Sequence, residues 1–200
     1  MATVVSTLFV ALDGVVEPDE VWHFPYFDDR VGAAVAEDYA GTDVLLLGRV
    51  TYDSFAGAWP EREAAGGEDA AFAAELGDLR KLVATRGDQD LGWRNVERTP
   101  DVVAAVRALR ADPGVGKVLV AGSIDVLRQL MAAGLLDELR LLLHPATGGG
   151  GRQRLFADDD GAQHFALVSS EALPTGVVRL VYRPAPAPGE RPYAEIRDAL

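Results

Sequence analysis

The sequence predicts an α/β domain: a mostly parallel central sheet with helices on both faces and an antiparallel hairpin at its C-terminal end. Three observations carry this. Short β-branched or leucine-rich runs alternate with segments of helical spacing along most of the chain, an order that makes successive strands parallel and lays their crossovers on the faces. The runs DVLLL (43–47) and KVLVA (117–121) are apolar without alternation, as strands covered on both sides are. Late in the chain two strand-like segments flank Leu173-Pro174-Thr175, the spacing of a hairpin.

The elements follow in order. TVVSTLFVAL (3–12) is a strand halted by Asp13-Gly14. Residues 15–27 form a loop rich in aromatics and proline, and Asp28 or Asp29 starts a helix reaching about Tyr39. Strand 43–47 ends at Gly48, with a short helix from Arg49 or Val50. Residues 61–67 read as an exposed loop, 68–78 as an alanine-rich helix, 81–85 as a strand and 87–93 as a polar loop. A short strand (95–98) and a helix (100–111) with Pro100 in its first turn come next. Strand 117–121, the turn Gly122-Ser123, helix 124–133 ended by Gly134, and strand 137–144 stopped by Pro145 complete the repeating part. Four glycines occupy 148–151. The hairpin strands are 163–172 and 176–183. Residues 1–184 read as one domain and 185–200 as a proline-rich tail, with a weak helix from Tyr193.

Composition narrows the function classes. At 200 residues the chain suits one core, and it has no cysteine, so thiolate chemistry and disulfides are out and a reducing, cytoplasmic setting is expected. No run is long enough for a bilayer, and no signal segment is expected at the N-terminus. A formal charge of −12 argues against nucleic acid as partner. A small anionic ligand remains compatible where cations are placed locally. Lysine is confined to Lys81 and Lys117, which reads as genomic bias.

In a parallel sheet ligands bind beyond the carboxyl ends of the strands, and three such ends carry suitable residues. Gly48-Arg49-Val50-Thr51 combines close backbone approach with a guanidinium and a hydroxyl for phosphate oxygens. Thr85-Arg86 suits a ribose 2′-phosphate or another terminal anion. Gly122-Ser123 opens a helix whose bare amides suit a pyrophosphate. Taken singly, each glycine also reads as a plain turn and each arginine as a solvated surface residue. Together, in an acidic chain, they point to phosphate binding. The G-x-G-x-x-G and P-loop patterns are absent. A serine-hydrolase elbow at Ser123 would need glycine where Asp125 stands.

The same segments resemble the dihydrofolate reductase-like reductases, in the branch that includes the C-terminal reductase domain of the bacterial bifunctional riboflavin biosynthesis protein. The resemblance runs to about Pro184. It is carried by the strand into Leu12-Asp13-Gly14 with Val16 and Trp22, by GRVTYDSF (48–55) with Trp59-Pro60, by VAGSIDVLRQLMAAGLLDELRLLLHPATGGGGRQRLF (120–156), and by Thr175-Gly176-Val177-Val178. Ala121 departs from the glycine of many relatives.

The resemblance implies a three-layer dihydrofolate reductase-like fold, a homodimer, NADPH as cofactor and a small-molecule substrate. Arg49, Thr51, Thr85 and Arg86 would meet the phosphates on the adenosine side, and Gly122, Ser123 and Ile124 the pyrophosphate, with the nicotinamide near Asp13. Hydride transfer usually needs a proton donor; Asp28 and Asp13 are the candidates, although Asp28 also reads as a helix cap. Trp22, Phe27 and Trp59, with Phe24 and Tyr26, are candidates to line a pocket for a flat heterocycle, or simply core. His23, His144 and His164 are scattered, without metal-ligand spacing, and His144 reads as structural. Residues 158–160 read as a solvated acidic loop. The alternative is a non-catalytic binding protein on the same fold.

Overall fold

β1 (Thr3–Ala11) threads the middle of the molecule, and its side chains divide between the two faces. A computed structural model describes residues 1–17, 22–150, 152–156 and 161–189. The expected tail helix and residues 158–160 lie outside them. The remaining strands are β2 (Val44–Gly48), β3 (Arg80–Ala84), β4 (Val96–Thr99), β5 (Lys117–Ala121), β6 (Glu138–His144), β7 (Phe165–Ala172) and β8 (Val178–Pro184). They form one sheet in the order β4-β3-β2-β5-β1-β6-β8-β7. The pairs from β4 to β6 are parallel, and the β8 and β7 pairings are antiparallel. The carboxyl ends of β1, β2, β3, β5 and β6 therefore share one edge.

The helices are α1 (Asp29–Tyr39), α2 (Arg49–Ala65), α3 (Ala70–Asp78), α4 (Val102–Ala111) and α5 (Ile124–Ala132). Side chains alternate along each strand, so the central strands feed two cores. Val5, Leu45, Leu47 and Leu119 pack with Tyr39 of α1, Tyr52 of α2 and Leu76 of α3. Val4, Leu46, Val118 and Val120 pack with Val106 of α4 and Leu130 of α5. Three layers result.

α2 is longer than its sequence suggests. It runs 17 residues, with Pro60 inside it, through the segment read as a loop. Residues 61–65 (EREAA) are strong helix formers, and Arg94 clamps Glu63 at 2.7 Å while reaching Asp78 of α3 at 3.0 Å. Gly66 and Gly67, at φ +73° and +94°, stop the helix. Ala121 keeps a negative φ; the left-handed pair falls one step later, at Gly122 (+65°) and Ser123 (+46°).

Both lysines have structural work. Lys81 is fully buried and donates to the carbonyls of Gly77 and Leu79 at 2.8 and 2.7 Å, closing the end of α3. Lys117 donates to the carbonyls of Asp38 and Ala40 at 2.6 and 2.9 Å, closing the end of α1. A compact ammonium with three donors suits converging carbonyls at a helix C-terminus. Composition alone had suggested bias without role.

Candidate functional site

Two of the three predicted strand ends are joined directly. The hydroxyl of Ser123 accepts the Gly48 amide at 2.6 Å and lies 3.0 Å from the hydroxyl of Thr51. Thr51 Oγ1 in turn accepts the Ser123 amide at 3.2 Å. With the Ser123 proton on Thr51, the Thr51 hydroxyl keeps its own proton for a ligand. A Cβ added at Gly122 would stand 3.3 Å from Thr51 Cγ2, and one at Gly48 would stand 3.3 Å from Ser123 Oγ. Both approaches are tighter than an ordinary Cβ contact, and Gly122 also holds a positive φ that favours glycine. None of the groups around the Ser123 hydroxyl is a base, which removes the nucleophile reading.

No side chain caps α2 or α5, which begin at these two turns, whereas Asp28 and Asp101 cap α1 and α4. The first amides of α2 and α5, Ile124 among them, leave two adjoining positive helix ends at one edge. Arg49 stands there, paired with Asp53 at 2.9 Å, with its Nη1 buried and unmatched.

The third end follows β3, the strand beside β2 on the side away from β5. Thr85 Oγ1 accepts the amide of Gly87 at 3.1 Å. Arg98 donates to the carbonyls of Gly87 and Gln89 at 3.0 and 2.6 Å, which shapes the loop beside it. Arg86 is exposed.

At the end of β1, Asp13 is enclosed by backbone. Its carboxylate accepts the amides of Gly148 and Gly149 at 3.0 and 3.1 Å. Arg154 donates to the Asp13 carbonyl, and Val15 bridges Arg154. The Gly148 amide, then Gly149, Val15 and the Arg154 charge, hold the carboxyl below the usual carboxylate range against some desolvation. The glycine loop is thus tied to β1, and a Cβ at Gly148 would stand 2.5 Å from the Val15 side chain. Asp28 caps α1, its Oδ1 accepting the Val31 amide at 2.9 Å.

Between β1 and β6, on the α1 side, the structure assembles a cluster that the sequence does not announce. His23 and His144 are 121 positions apart, yet their ring centroids are 5.3 Å apart. Phe9 stands 4.2 Å from His23, and Trp22 stands 5.4 Å edge-on to His144. Phe27, half exposed, completes the edge against Phe9 at 6.5 Å. Two of the three scattered histidines, His23 and His144, are therefore neighbours; the available signal was that His144 ends a strand at the carboxyl edge of the sheet. Among the described residues no three His, Cys, Asp or Glu side chains gather for a metal.

Trp59 is not part of this cluster. It packs 5.4 Å from Phe72 of α3, with Arg62 over its ring at 4.8 Å. Ten residues of helix after Arg49 amount to roughly 15 Å of rise, so the longer α2 carries Trp59 away from the edge.

The chain was compared with known proteins. The profile of the RibD C-terminal domain matches residues 2–179. The uncharacterized protein YyaP of Bacillus subtilis is 26% identical over 144 residues, 70% of this chain and 73% of that protein. A putative riboflavin biosynthesis protein from Shewanella superposes with a TM-score of 0.68 at 16% identity, over 92% of this chain and 99% of that one. A pyrimidine reductase-like protein from Corynebacterium diphtheriae gives 0.65 at 15%, over 93% of each chain. RibD of Acinetobacter baumannii gives 0.64 at 14%, over 93% of this chain and 59% of that longer one. The architecture is the dihydrofolate reductase-like one. The family match takes in all three strand-end turns, the glycine loop and the histidine pair, and the chain belongs to the RibD C-terminal domain family.

Proposed function

We propose that the chain is an NADPH-dependent reductase that transfers a hydride to a small heterocycle of pterin or aminopyrimidine type, or to a carbonyl, related to 5-amino-6-(5-phosphoribosylamino)uracil reductase. The observation that carries this is the junction of Gly48 and Thr51 with Gly122 and Ser123 between two uncapped helix starts. It is a donor-rich pair of turns in which a Cβ at either glycine would crowd its neighbour, and it suits a pyrophosphate. Arg49, Thr85 and Arg86 add cations and hydroxyls on the adenosine side. The bound dinucleotide supplies the hydride; the protein's part is to hold it face to face with the substrate. Phe27, half exposed, offers aromatic surface to a flat ring beside the end of β1, and Trp22 is buried in the same cluster.

Of the two acids, we assign proton delivery to Asp28. Backbone amides take both carboxylate oxygens of Asp13, whereas at Asp28 the Val31 amide takes Oδ1. The role of Asp13 is to pin the glycine loop. We take the protein to act as a homodimer. The exposed Leu167 and Val168 on the outer strand β7 offer an apolar edge for a second copy, which sedimentation checks. No helix among the described residues is long and apolar enough to cross a membrane, and we place the protein in the cytoplasm.

One observation favours a second reading, a binding protein on the same fold: both candidate acids are engaged by backbone amides. Thermal denaturation with NADPH, NADH and ATP tests the cofactor. Stabilisation by NADPH above the others is expected, and absence of any response would sink the assignment. Oxidation of NADPH with pterin or aminopyrimidine substrates, slowed in Asp28→Asn, separates the reductase from the binding protein.

A further inference from the structure

We infer that Nε2 of His144 is a specificity-determining acceptor, placed to take an N–H of a planar heterocyclic ligand between the ends of β1 and β6. The inference deepens the reductase reading and rests on it for the side of the sheet that the substrate occupies.

His144 closes β6 with its side chain wholly out of solvent. Its Nδ1 lies 2.8 Å from the carbonyl oxygen of Leu142. A carbonyl only accepts, so Nδ1 carries the ring proton and Nε2 presents a lone pair. Burial pushes this imidazole below its usual value and keeps it neutral, so the lone pair persists at physiological pH. Nε2 is enclosed, and no donor among the described residues reaches it. Two nearby donors are committed elsewhere. The indole N–H of Trp22 goes to the Glu17 carbonyl at 3.0 Å, and the Tyr26 hydroxyl faces the Pro145 carbonyl at 3.5 Å.

An unmatched buried acceptor is destabilising, and a buried polar group of this kind calls for a purpose. A ligand N–H would satisfy it, while Phe9 and Trp22 offer the ligand's faces aromatic contact. Lactam and aminopyrimidine rings present such donors at their edges; a fully N-alkylated ring does not. Because Trp22 and His23 close over the imidazole, an entering ring turns one of them aside.

The test uses ¹⁵N-labelled full-length protein and follows the imidazole nitrogens by NMR while 5,6-diaminouracil is added. The Nε2 resonance is expected to move as it gains a hydrogen bond, and 1,3-dimethyluracil, a pyrimidine without N–H groups, is expected to leave it in place. His144→Phe should melt no lower than the wild type yet bind 5,6-diaminouracil about tenfold more weakly. His144→Gln, which restores an acceptor, should recover part of that loss. A Nε2 resonance unmoved by 5,6-diaminouracil, or moved equally by both probes, overturns the inference. So does a His144→Phe protein that melts lower and binds the probe as well as the wild type. Thermal response to NADPH is recorded alongside: its absence with a moving Nε2 resonance removes the reductase and leaves the acceptor.

Discussion

Ser123 takes the amide of Gly48 on its hydroxyl across 75 positions of chain, at 2.6 Å, while holding a left-handed backbone at φ +46°. That conformation costs a non-glycine residue roughly 1–2 kcal/mol, and the bond to Gly48 offsets it. Ser123→Ala keeps the strain and leaves the amide unmatched, so it should lower stability by about 1–3 kcal/mol. Ser123→Gly relieves the strain and should fall less. Both should weaken NADPH, as urea unfolding and calorimetric titration would record. An alanine variant as stable as the wild type would refute the junction.

Arg86 is exposed and makes no pairing with an acid among the described residues, while Arg98 holds the loop beside it through Gly87 and Gln89. Arg86→Glu should weaken NADPH by about tenfold or more and NADH much less, since only the former carries a 2′-phosphate for the charge to meet. Paired binding titrations decide this. Equal losses would move the phosphate elsewhere.

Asp13 is the pH-sensitive tie of the glycine loop. Its carboxyl is held below the ordinary 3.8 in the folded protein, so its stabilising effect is full above that value and fades as pH falls through the lower, folded one. Protection of the Gly148 and Gly149 amides against hydrogen exchange should therefore persist to below pH 3.8 and then fail. Asp13→Asn should show weakened protection already at neutral pH. Unchanged protection in that variant would deny Asp13 the role.

Lys81 also holds its proton less tightly in the folded protein, but here because its charged form is penalised rather than favoured. Burial pushes its ammonium down to about 8 from the ordinary 10.5. Between those values the unfolded chain binds more protons, so this group makes stability rise with pH across that window, by on the order of 3 kcal/mol. Comparing wild type with Lys81→Met by denaturant unfolding at several pH values isolates the effect, because other alkaline groups are common to both. The Trp93 ring, 4.3 Å from Nζ, gives a fluorescence signal for the same titration.

Asp38, in the last turn of α1, is nearly fully buried and meets Arg179 at 2.5 Å, Arg140 at 3.2 Å and the Thr7 hydroxyl at 2.7 Å. It ties α1 to β1, β6 and β8 at once. Asp38→Ala takes the shared partner from two arginines that keep Glu138 and Glu37, and should destabilise by about 1–3 kcal/mol. Chemical denaturation measures it, and a loss under 1 kcal/mol would mean the arginines find water instead.

Local signals made most of the fold legible. The unbroken apolar runs at 44–47 and 118–121 matched buried strands, because side chains on both faces of such a strand must leave water. The glycines at 48 and 122 marked the turns at the carboxyl edge of the sheet for a reason equally local, the lack of a Cβ at a turn. The course of α2 was not legible, because Pro60 argues locally for a break while Glu63 is held by Arg94 from a distant segment. The misplacement of Trp59 followed directly from that.

The sequence by itself determined which residues form strands, which turns lie at the carboxyl edge, and which cations and hydroxyls stand there, since these depend on periodicity and the chemistry of neighbours in the chain. Tertiary structure decided how they combine. Strand order brought β2 beside β5, so that Ser123 met Gly48 and Thr51, and β6 beside β1, so that His144 met His23 and Phe9. It also committed Asp13 to the glycine loop and Asp28 to the start of α1. A carboxylate's reach is a few ångströms whatever its distance along the chain, and only the folded path shows which amide comes within it.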